Sequence, residues 1–132
     1  MQRTTTTGEV VPISKERNLR PVPSAWRTTL SKIVEAFKDG DFILAQPILG
    51  VRSISKEDAA GIADSIEDYG AQLTSLPEDT WKTSICQWLE SHWDVMVDLY
   101  AVDEGASNLI LHVHVYEDGP SFAFEVHFVY AP

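Results

Sequence analysis

A chain of 132 residues and 14.7 kDa has room for one domain and a tail, which excludes two full-sized domains. With 44% hydrophobic and 23% charged residues it is neither disordered nor membrane-spanning in composition, and its lone Cys86 excludes an intrachain disulfide or a multi-cysteine zinc site. The net charge of −10 is unevenly spread: Arg3, Lys15, Arg17, Arg20 and Arg27 face only Glu9 and Glu16 up to residue 27, leaving −13 on the remainder. A body that acidic repels phosphate backbones and anionic lipid, so neither nucleic acid nor a membrane is expected as partner, and a cationic protein or small ligand fits better.

Residues 1–23 read as an extended basic arm. Its threonines and Pro12, Pro21 and Pro23 interrupt any helix, and Val10, Val11 and Ile13 are the residues able to dock. Met1–Gly8 lacks the apolar run of a secretory signal, which makes the cytoplasm the expected compartment. Residues 24–132 read as a single α+β domain. Ser24 is the expected N-cap of a helix reaching about Asp39, with Trp26, Leu30, Ile33, Val34 and Phe37 on one stripe and Gly40 ending it. Residues 42–54 form an apolar connection whose Pro47 keeps it out of a central sheet position. Ser55 and Asp58 resemble a capping box for a second helix buried through Ala59, Ile62, Ala63, Ile66 and Tyr69 and stopped by Gly70. Residues 77–92 admit two readings. Trp81, Ile85, Trp88 and Leu89 fit a helix, whereas Ile85–Glu90 fits a strand entering a tight turn. The favoured reading is a short helical turn near Pro77–Lys82 followed by a strand.

From Trp93 the apolar period becomes two. Trp93, Val95, Val97 and Leu99, then Leu109, Leu111, Val113 and Val115, then Phe122, Phe124, Val126, Phe128 and Tyr130, define three antiparallel strands with one face on the core. Two helices on one face of a three- or four-stranded meander is the fold expected, with Ile33, Phe37, Ile62, Ile66, Val95, Val97, Leu111, Val113, Phe124 and Phe128 as its core.

The opposite face then collects Asp94, Met96, Asp98, Tyr100, His112, His114, Tyr116, Glu125 and His127. A four-residue turn over Glu117–Pro120 sets Tyr116 across from Ser121, hence His112 across from Glu125, His114 across from Ala123 and His127 across from Ile110. On the other side Asp98 falls beside Ile110 or His112, and Asp94 beside His114 or Tyr116. This register centres a site on His112 and His127, with Glu125 between them and Asp98 nearby. Its carboxylates are expected to raise the imidazole pKa values. His112, His114 and His127 are of a metal-ligating type, but a polar sheet face whose histidines pair with Asp and Glu, with no enclosing wall to lock the rings, is the favoured reading, so no metal or other cofactor is expected. Asp103, Glu104 and Asn108 fall short of a calcium loop, and Cys86 reads as structural.

One resemblance spans about residues 30–132. Ser55, Asp58-Ala59, Tyr69-Gly70, Leu76-Pro77, Trp81, then Trp93, Val95, Val97-Asp98-Leu99, Glu104-Gly105, Ser107-Asn108-Leu109, Leu111 and the closing Val129-Tyr130-Ala131-Pro132 are similar in pattern to an uncharacterised family of small bacterial α+β domains. Asn108 stands where such families often carry Asp. No activity comes with the resemblance. Without a catalytic motif, the function expected is that of a non-enzymatic acidic interaction domain, immunity- or inhibitor-like toward a basic protein. The alternative is a small-ligand- or metal-binding enzyme that uses the histidine face. The open face is also a candidate homodimer surface, through Met96, Ile110, Tyr116 and Val129.

Overall fold

A computed structural model describes residues 13–132, so the expected docking of Val10 and Val11 lies outside the described residues. The elements in order are β1 (Arg20–Pro21), α1 (Ser24–Lys38), α2 (Lys56–Tyr69), a 3-10 turn (Glu78–Lys82), β2 (Ile85–Trp88), β3 (Trp93–Ala101), β4 (Gly105–Asp118) and β5 (Ser121–Tyr130). The five strands form one antiparallel sheet in the order β1-β2-β3-β4-β5. The sheet is thus wider than three or four strands. The extra strand comes from the proline-rich stretch, where Arg20 and Pro21 pair with Cys86 and Ile85 and Val22 is buried beside them. Proline is admissible there because β1 is an edge strand.

Both helices end where their glycines stand, Gly40 and Gly70 each adopting a φ of 85°. Ser55 caps α2, its Oγ accepting from the Asp58 amide at 3.1 Å. α1 differs from expectation: Pro23 occupies the cap, Ser24 is already helical, and no side chain caps the first turn. Its first turn is closed instead by the Trp26 amide donating to the Pro23 carbonyl at 3.0 Å. The buried stripes of both helices, with Trp26 and Trp93 edge-to-face at 5.3 Å, share one core with the inward residues of β3, β4 and β5.

Registers on the two sides of β4 depart differently from the sequence reading. Between β3 and β4, Asp94 faces His114, Met96 faces His112 and Asp98 faces Ile110, as expected. Between β4 and β5 the strands run on to Asp118 and resume at Ser121, so the loop is Gly119-Pro120, half the expected length. Gly119 has a φ of 61°, the sign a tight hairpin demands at its first loop position. Tyr116 therefore faces Ala123, and His114, not His112, faces Glu125.

A second correction follows from an irregularity further along β5. Val113 faces Val126 but His112 faces Phe128, so His127 is an extra residue on its strand, a β-bulge. The bulge reverses which residues point inward beyond it. Phe128, expected in the core, is 44% exposed, and Val129, expected outside, is 1% exposed.

The connection between the helices docks on the outer edge of β5. The Phe124 amide donates to the Gly50 carbonyl at 2.8 Å and the Arg52 amide donates to the Phe124 carbonyl at 2.9 Å. This places Arg52 beside the histidine face, where its guanidinium lies over the Tyr116 ring at 4.7 Å.

Candidate metal centre

Alternation along β3 and β4 carries Asp94, His112 and His114 to the face opposite the core, and the bulge turns His127 and Phe128 toward the same side. A fourth histidine joins them. His92 sits in the turn between β2 and β3, and its ring lies 4.1 Å from that of His114. Sequence reasoning missed it as a member of the site. Its signal was parity: two positions before Asp94, it shares that residue's side of the strand.

Asp94 is the centre of this group. Its Oδ1 lies 2.9 Å from His114 Nε2, 3.2 Å from His92 Nε2 and 3.5 Å from His112 Nε2. These four side chains are only 16–19% exposed, yet none of the three contacts has hydrogen-bond geometry: Asp94 Oδ1 and His112 Nε2 are both buried without a hydrogen-bond partner. The Ser91 hydroxyl meets His92 Nδ1 at 2.8 Å, which orients the ring so that Nε2 faces the carboxylate.

His114 lies between two imidazoles, with the His127 ring 3.6 Å away on the β5 side. His127 Nε2 meets Glu125 Oε1 at 3.1 Å. Glu125 also pairs with Arg52 at 3.0 Å and accepts from the Tyr116 hydroxyl at 3.3 Å. Two sets of donor atoms each fall within 4.8 Å of one another: His92, Asp94 and His114, and then His114, Glu125 and His127.

The remaining expected site residues stand apart. Asp98 accepts from Thr83 Oγ1 at 2.5 Å, at the junction with the 3-10 turn, and takes no part in the histidine group. Met96 faces His112 and belongs to an apolar strip, and Tyr100 lies at the far end of β3. The centre is accordingly Asp94 and His114, one strand away from the expected pairing of His112 with His127.

The electrostatics also run opposite to expectation. Burial pushes the His114 pKa down to about 4, reinforced by the neighbouring His127 and His92 and only partly opposed by Asp94. His112 is likewise lowered, first by burial. For Glu125, burial acts upward, but hydrogen bonds from Arg52 and His127 prevail and hold its carboxyl below the usual range. Desolvation outweighs the carboxylates because three or four imidazoles share two acids, and each charged ring would repel the next. The neutral rings of His112 and His114 that result offer a lone pair, which is the state a metal ion requires.

The chain belongs to the family described as Domain of unknown function (DUF7668), whose model matches residues 34–132. Arg52 and every member of the histidine group lie within that span. No curated protein and no solved structure matches the chain.

Proposed function

We propose that this domain binds a divalent transition-metal ion, zinc suiting the donor set best, through His92, Asp94 and His114. The observation that carries the reading is the convergence of imidazole Nε2 atoms on one carboxylate oxygen at 2.9–3.5 Å without hydrogen bonds. Donor atoms about 2.0–2.1 Å from a tetrahedral zinc stand roughly 3.3 Å from each other, close to the 2.9 and 3.2 Å that separate Asp94 Oδ1 from His114 and His92, whose own donor atoms lie within 4.8 Å of one another. A proton shared along an N–H···O line would leave the oxygen satisfied, whereas an ion between the donors needs no such line. Two imidazoles and one carboxylate are also a borderline-soft set of the kind zinc accepts, and Ser91 supplies an orienting contact.

The test is calorimetric titration of chelator-treated full-length protein with zinc at pH 7.5. One ion should bind per chain, and His114→Ala should weaken binding by more than the roughly 10–100-fold that loss of an outer partner costs. Binding should strengthen as pH rises, because ligation needs neutral imidazole. Absence of zinc binding, or an affinity indifferent to His114→Ala, overturns the reading.

A second reading is favoured by a different surface. α2 exposes Glu57, Asp58, Asp64, Glu67 and Asp68 against Lys56 alone, and with a net charge of −10 this suits an interface steered by a basic protein. An immunity- or inhibitor-like role would use that ridge, since Asp94, Asp98 and Glu125 are engaged within the sheet face. Recovery of a basic protein at low salt that is lost at high salt, and lost at low salt on charge reversal along α2, supports it.

A further inference from the structure

We infer that the metal-loaded centre takes as its external ligand a small carboxylate with an apolar tail, the head on the ion and the tail along Met96, Ile110 and Phe128. The inference rests on the metal reading above and deepens it.

Coordination number is the first argument. His92, Asp94 and His114 form a mutually close set, which His112 does not join although it reaches Asp94 Oδ1 at 3.5 Å. Three protein donors leave a tetrahedral ion with one position for an external group. Charge decides the kind of group. Two neutral imidazoles and one carboxylate on a dication leave a net charge of about +1. The nearest further carboxylate, Glu125, is already paired with Arg52 at 3.0 Å. An anionic oxygen donor completes the charge balance at the open position.

The tail is argued from the strip beside the ion. Phe128 is 44% exposed, a large apolar side chain on a face that both helices leave uncovered. Its ring lies 4.9 Å from His112 and 5.3 Å from Tyr130. Met96, His112 and Phe128 lie in one cross-strand row and Ile110 with Tyr130 in the next, so the apolar side chains flank His112 on two sides. The exposure is not an accident of a frayed end: the bulge that brings His127 next to His114 is the same irregularity that turns Phe128 outward. Adjacent rows on one face of a strand are roughly 7 Å apart, so a chain of about four or five carbons reaches from the Asp94–His114 row onto the patch. Phosphate would satisfy the ion but has nothing to lay on the strip.

Straight-chain alkanoates from acetate to hexanoate, titrated into zinc-saturated protein, test this. Affinity should rise by about twofold per methylene beyond propanoate, half the free-energy gain of a fully buried methylene. Phe128→Ser should flatten the series while leaving zinc affinity unchanged, and zinc-free protein should bind none of the acids. A flat series in the native protein, equal binding without zinc, or a series that survives Phe128→Ser overturns the inference while the metal reading stands. Failure of zinc itself to bind removes both.

Discussion

Lowering the pH of the metal-free protein from 7 to 5 should cost it about 2 kcal/mol of stability through His114 alone. The folded-state pKa of about 4 lies below the ordinary 6.5. The unfolded chain therefore takes up a proton between these values and the folded protein does not. Stability from this group is complete above pH 6.5 and is lost as pH falls toward 4. His112, lowered for the same first reason, adds loss of the same sign. Glu125 and Glu35, whose pKa values are depressed, contribute stability above the usual carboxylate range and lose it only at lower pH, so the window from 7 to 5 isolates the imidazoles. Urea unfolding with chelator present, at half-unit steps, reads the effect as a falling midpoint, and His114→Gln should remove most of the slope. A midpoint that is level, or that rises toward pH 5, refutes the account, since the second result is what carboxylate-stabilised imidazolium would produce.

Two further substitutions test the fold on which the site depends. Val129→Asp should abolish cooperative unfolding, because an unpaired buried carboxylate costs several kcal/mol, whereas Phe128→Asp should cost no more than about 2 kcal/mol; circular dichroism melts with the reverse ranking would place the bulge elsewhere. Gly50 has a φ of 82°, and a Cβ there would stand 3.3 Å from the Phe122 carbonyl oxygen. Gly50→Ala should therefore lose about 1–2 kcal/mol in urea unfolding, and no loss would mean that the connection does not grip β5.

Much of the architecture was legible because its signals are local. Ser55 and Gly70 bracket α2 through one hydrogen bond and one left-handed backbone angle, both properties of the residues themselves. The 3-10 turn fell where Pro77 put it, and the structure decided for a strand at Ile85–Trp88, where the apolar pattern also fitted a helix. Parity alone required Asp94 to fall beside His114 or Tyr116 and Asp98 beside Ile110 or His112, since a one-residue slip on β3 would have turned Val95 and Val97 into water. α1 was misread at its start because a serine after a proline resembles a cap in sequence, whatever backbone Pro23 adopts. His92 was missed because it lies just outside the alternating run that begins at Trp93, although its parity with Asp94 pointed to the same side, and only the tertiary structure lays its ring on His114.

What the sequence by itself determined about this protein is a chemistry of faces: an apolar side that must be buried, and an opposite side on which Asp94, His112, His114, Glu125 and His127 gather. Alternation is enforced by backbone geometry and the hydrophobic effect, and both act on residue type alone. Only the tertiary structure decided which of these groups touch. That choice depends on a two-residue loop at Gly119-Pro120 and on one extra residue at His127, which also exchanges Phe128 and Val129 between the two faces. It also decided the sign of the electrostatics. A count of acids beside histidines predicts raised pKa values, but burial of the imidazoles against one another lowers them, and burial is a property of the assembled sheet.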